Sequence, residues 1–143
     1  MTSSRYVDDP TYHELSGYTL GLADPAFIHQ HIVDTYGAQT AAADDKPVRI
    51  AMALTGLYLH VDQGMTGKQV QRIHQLLGNQ RPAWPRFSLP DDRGPMPVRD
   101  VWAASPGESR ASAIHTWCTT TWEALSACRA AVQDPLIANG IDV

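Results

Sequence analysis

Proline divides this chain before any other property does. Asp9-Pro10, Asp24-Pro25 and Lys46-Pro47 each fix φ and remove an N–H that a first helical turn leaves unpaired, so each marks a helix start. Both aspartates are good N-caps. Thr66 followed by Gln69 reads as a capping box, and Ser105-Pro106-Gly107-Glu108 as a second one with proline at the first helical position. Six of the ten prolines fall within 79–106, where neither regular helix nor central strand can pass. The predicted helices are therefore 10–22, 24–42, 47–62, 67–77 and 106–137, with Gly78 closing the fourth and a loop over 79–105 before the last. A brief helical turn fits Val98–Trp102. No segment alternates with period two. The expected class is all-α: one domain over 1–143, an up-down helical bundle of about five helices with a long Pro-rich loop before the last. Trp84, Phe87 and Trp102 are expected to pin that loop, with Trp84 and Phe87 closing one side of a pocket.

Composition narrows the function. Hydrophobic residues make up 43% and charged residues 18% of 143, enough apolar mass for a core and too little charge for a disordered tail. A net charge of −4 argues against nucleic acid or an anionic membrane surface as partner. No apolar run approaches the ~18–20 residues of a membrane span. Met1 to Pro10 is polar and acidic, so it does not read as a signal peptide. Cys118 and Cys128 sit ten residues apart in one predicted helix. That spacing separates them by about 15 Å, beyond the reach of a disulfide, and free thiols imply a cytoplasmic protein.

Histidine placement carries the chemistry. At about 100° per residue, His31 falls on the face shared by Phe27, Ile28, Thr35 and Ala38, while His29 points the other way. His29 is thus expected near the surface or at a subunit contact. Asp34 follows His31 by three residues, within reach of it. His74 lies in the stripe of Val70, Ile73 and Leu77, His60 flanks that of Leu54, Leu57 and Val61, and His13 sits above Gly17 and Leu20. Imidazoles on facing helices are a way to build a metal site. His31, His60 and His74 are the expected ligands of a divalent transition metal, Zn²⁺ or Fe²⁺. Asp34, His13 and Tyr36 are the expected catalytic side chains. No HExxH, CxxC pair, nucleophile elbow, P-loop, nucleotide or flavin signal is present. Arg81, Arg86, Arg93 and Arg99 in the loop offer cations for a substrate carboxylate.

The strings Tyr12-His13-Glu14-Leu15, Phe27 to Tyr36, Gly56-Leu57-Tyr58-Leu59-His60-Val61 and Val70-Gln71-Arg72-Ile73-His74 resemble a bacterial family of small helical domains of unknown function. Trp84 to Pro90, Trp117-Cys118 and Trp122-Glu123 fit it too, so the resemblance spans about residues 10–125. It brings no activity. Members carry a paired-Cys segment near the N-terminus, whereas this chain has no cysteine before Cys118. The plan is also similar, in architecture alone, to DinB-like metal-binding bundles. Three functions are open on this sequence. The leading one is a metal-dependent enzyme on a small molecule. The second is a metal-free acid–base lyase, isomerase or cyclase using His31 with Asp34. The third is a helical binding or dimerisation module, a homodimer for instance, docking through Ile114, Trp117 and Leu125.

Overall fold

The computed structural model describes residues 9–143; the reading of the segment before Asp9 lies outside them. The described residues are helical, with no strand. In order they form α1 (Pro10–Gly21), α2 (His29–Thr40), α3 (Pro47–Val61), α4 (Gly67–Gln80), α5 (Val98–Ala103), α6 (Glu108–Ala124) and α7 (Arg129–Ala138), with a 3-10 turn at Ser126–Cys128 between the last two. Seven helices thus stand where about five were expected. None of them is long and apolar enough to cross a membrane.

Local chemistry explains both the agreements and the departures. Asp9 caps α1 through the Thr11 N–H, with Pro10 at the first position. The Thr66–Gln69 capping box opens α4. Asp24-Pro25 does not start α2. The Asp24 carboxylate accepts the Ala26 and Ile28 N–H groups at 3.0 and 3.1 Å, and Phe27 takes a left-handed φ of 57°, so 24–28 is a turn and the helix waits until His29. α4 runs through Gly78 to Gln80, and Arg81 supplies the left-handed cap at φ 49° ahead of Pro82. The expected single helix over 106–137 breaks at Leu125. Leu125, Cys128, Val132 and Leu136 are all buried and continue the three- and four-residue spacing of α6, so the apolar pattern runs straight through the bend.

α2 lies at the centre, touching α1, α3, α4 and α6. Leu54, Leu57 and Leu59 of α3, Trp117 and Trp122 of α6, and Ile32 of α2 are fully buried around it. The turn at 24–28 docks on the start of α4: the Ala26 carbonyl accepts the Lys68 N–H at 3.0 Å, using a donor that a helix N-terminus leaves free. Only glycine fits at position 67, because a Cβ there would lie 1.8 Å from the Phe27 oxygen.

The proline-rich segment is held by polar bonds as well as by its aromatics. Arg93 donates to the Ala38, Gln39 and Ala41 carbonyls at 3.0, 3.3 and 2.7 Å, closing the C-terminus of α2. Buried Gln39 donates to the Arg93 and Met96 carbonyls and accepts the Trp117 indole N–H at 3.0 Å. Arg93 is thus a helix cap and not a substrate cation. Arg99 pairs with Asp9. Trp84, Phe87 and Trp102 are half-buried against the core; Trp84 walls a cavity of about 640 Å³ against Ala131, Pro135 and Ala138 of α7, whereas Phe87 does not line it, and neither borders the two pockets described next.

Candidate functional site

Two pockets flank α2, and its alternating neighbours feed one each. His31 looks to one side. Gln30 and Asp34 look to the other.

The first pocket, about 290 Å³, lies under the 24–28 and 64–66 turns, with Ile28, Met65 and Ile114 among its walls. Three imidazoles reach it from three helices: His31 of α2, His60 of α3 and His115 of α6. The His31 and His60 rings stack at 3.5 Å between centroids and 19° between planes. His115 stands edge-on to His60 at 6.0 Å. His60 Nδ1 meets the Met65 carbonyl at 3.1 Å, so that nitrogen carries the proton and Nε2 keeps a lone pair. His31 is 7% exposed, and its Nδ1 is buried with no hydrogen-bond partner. Burial first, and then the neighbouring His60 and His115, hold its pKa down to about 3 against a small opposing pull from Asp24. Burial likewise lowers His60, with the Met65 bond opposing. Both are neutral near pH 7.

The second pocket, about 420 Å³, opens on the other side of α2. Asp34, 4% exposed, lies on α3 where Gly56 leaves room; a Cβ there would sit 1.9 Å from its Oδ2. The Gln30 amide nitrogen donates to both Asp34 oxygens, at 3.1 and 3.2 Å, and faces His74 Nδ1 at 3.3 Å. Burial pushes the Asp34 carboxyl well above the ordinary carboxylate range, the Gln30 bonds opposing. Burial lowers His74, with the Met52 carbonyl opposing, yet His74 Nε2 is buried and makes no well-formed hydrogen bond. Tyr12 and Tyr36 stack at 3.9 Å along one wall, and the Tyr36 hydroxyl accepts the Asp9 N–H at 2.7 Å. His13, Val33 and Arg49 are the exposed members of the lining.

The side chains singled out from sequence therefore divide. His31 and His60 share the first pocket; Asp34, His13, Tyr36 and His74 share the second. Asp34 is not beside His31, because Gln30 four residues before it and the notch at Gly56 hold its carboxyl on the far face. His74 is not with His31 and His60. Among the described residues no three His, Cys, Asp or Glu are gathered around a point that holds a metal ion. His29 is half-buried against α1, its Nδ1 2.9 Å from the Thr19 hydroxyl. Cys118 and Cys128 are free and buried. Ile114, Trp117 and Leu125, the stripe a docking helix would expose, are buried too.

Sequence reasoning missed His115 and Gln30. His115 is one residue off the α6 stripe and three before Cys118, close enough to the buried face for its ring to enter a pocket. Gln30 drew no attention beside two histidines, although its four-residue spacing to Asp34 was visible.

One family model matches residues 9–126, that of a family of unknown function (DUF5946). No curated protein and no solved structure matches the chain.

Proposed function

The chain belongs to the DUF5946 family, and we propose that it is an acid–base enzyme, an isomerase or lyase, that polarises a small molecule's carbonyl in the pocket of Asp34 and His74. The observation that carries this is the hydrogen-bond chain through Gln30. Its amide N–H groups fill the Asp34 oxygens and His74 Nδ1. With Nδ1 accepting, the imidazole proton sits on Nε2, a buried atom that makes no well-formed hydrogen bond although the Met52 carbonyl draws on the ring. Burial favours the protonated form of the Asp34 carboxyl, which in that form is a second donor. Two buried, uncharged donors thus share one pocket wall.

Such a pair stabilises an oxygen on which negative charge develops, and does so without a preformed charge that would have to be desolvated. A base on the same pocket completes the reaction, and His13 is the imidazole placed there. It takes a proton from the carbon next to the carbonyl. The C–H electron pair forms the enol double bond, and the carbonyl oxygen gathers the charge facing Asp34 and His74. Where the deprotonated carbon carries a hydroxyl, loss of the hydroxyl proton makes the new carbonyl and the abstracted proton returns to the former carbonyl carbon, an isomerase; where the β-carbon carries a leaving group, the enolate electrons form the new double bond and the group departs with its bonding pair, a lyase. The Tyr12–Tyr36 stack, Val33 and Met52 give the substrate an apolar bed.

The ¹⁵N shifts of His74 test the geometry directly. Protonated Nε2 and bare Nδ1 support the donor pair. The reverse tautomer overturns it, because the Gln30 carbonyl would then accept from both neighbours and the wall would be self-satisfied. Activity is read as hydrogen–deuterium exchange at the α-carbon of small ketones in D₂O. Loss of one donor in His74→Phe should slow exchange by about 10²–10³.

A further inference from the structure

The first pocket supports an inference independent of that reaction. We propose that His31, His60 and His115 bind one divalent transition-metal ion of the Zn²⁺ type. The pocket gathers imidazole nitrogens on three separate helices and contains neither lysine nor arginine. Its acidic member, Asp24, gives both carboxylate oxygens to the backbone of its own turn. Asp24 acts on His31 through charge alone and makes no ion pair with it, so the His31 and His115 rings have no side-chain hydrogen-bond partner in the pocket. His60 has the orientation a metal ligand needs, Nδ1 held by the Met65 carbonyl and Nε2 bare. His31 Nδ1 is a buried polar atom without a partner, an arrangement that costs stability until something satisfies it.

The spacing sets what binding requires. Two imidazoles on one tetrahedral ion, each with a metal–nitrogen bond of about 2.0–2.1 Å, have ring centroids roughly 5 Å apart. The centroid separations are 3.5 Å for His31–His60 and 6.0 Å for His60–His115, one short of that distance and one beyond it. The discrepancies are on the order of 1 Å, and the His31 and His60 planes lie nearly parallel, so as they stand the three rings do not surround one point and His31 and His60 must turn about their side-chain bonds to share an ion. Binding must therefore part the stacked pair. A neutral imidazole set favours Zn²⁺, Cu²⁺ or Ni²⁺ over Mg²⁺ or Ca²⁺, which prefer oxygen.

The test uses the full chain without a histidine tag, freed of metal by chelator. Zn²⁺ at a hundredfold excess over its dissociation constant should raise the melting temperature by on the order of 10 °C. Co²⁺ should bind at one ion per chain with the visible absorption of a tetrahedral site. His115 is exposed, so His115→Ala should fold normally and weaken Zn²⁺ binding at least tenfold. His74→Ala, in the other pocket, should bind as the parent does. Ring-proton shifts of His60 should move as the stack opens. The proposal is overturned if Zn²⁺ leaves melting unchanged, if His115→Ala binds as tightly as the parent, or if His74→Ala is the variant that loses the ion. None of these outcomes touches the His74 tautomer.

Discussion

His31 should make this protein acid-sensitive in a way that one substitution removes. Its imidazole has an ordinary pKa near 6.5 in the unfolded chain and is held to about 3 when folded. The folded state thus refuses a proton that the unfolded state takes. The associated stability is fully present above pH 6.5 and is lost progressively as pH falls toward 3. Each pH unit in that window is worth about 1.4 kcal/mol, so lowering the pH from 6.5 to 5 should cost about 2 kcal/mol. His60 and His74 act in the same direction, because burial lowers both. Asp34 acts oppositely, its raised pKa adding stability as pH falls. Comparing the parent with His31→Phe cancels those shared contributions. Phenylalanine keeps a flat ring against His60 and titrates nothing, and the loss of Nδ1 breaks no hydrogen bond. Urea unfolding in chelator-treated buffer at pH 7 and pH 5 measures the difference. The gap between parent and variant should shift by about 2 kcal/mol in favour of the variant at pH 5. A gap that stays constant within about 0.5 kcal/mol would refute the assignment of His31 as a buried neutral imidazole.

Two further outcomes test the frame around the pockets. Gly56→Ala, ordinarily a gain of up to about 1 kcal/mol inside a helix, should instead destabilise by about 1–3 kcal/mol because the added methyl meets the Asp34 carboxyl; chemical denaturation reads the sign. Arg93→Ala removes the guanidinium from three carbonyls at the end of α2 and should cost about 2 kcal/mol. It should also turn Arg86, followed by Phe87, from a slow into a fast trypsin site, a change visible on a gel.

Much of the fold is written in local signals. Pro10, Pro47 and the Thr66–Gln69 box each start a helix within a residue of where the chain starts it, because capping and fixed φ act over three or four residues and need no tertiary help. Asp24-Pro25 carries the same local signal and fails. What decides there is the fit of the Ala26 and Phe27 carbonyls onto the start of α4, forty residues on, where Gly67 leaves the space. The bend at Leu125 escapes for a different reason. Periodicity records which face is buried and is blind to a change of axis when the buried spacing continues across it.

The same distinction governs the site. Helical arithmetic identified His31 and His74 as inward-facing, and both are largely covered by the fold. It could not tell which partner each would meet, since two groups on the inner faces of different helices share a pocket only if the helices meet there. α2 settles that by presenting opposite sides to its neighbours. His31 goes toward α3 and α6, where His60 and His115 wait; Gln30 and Asp34 go toward α4 and the Gly56 notch, where His74 waits. One twelve-residue helix thus divides the titratable groups into two sets of different chemistry. A set of bare imidazoles favours a cation. A protonated carboxyl tied through an amide to a second imidazole favours an oxygen acceptor.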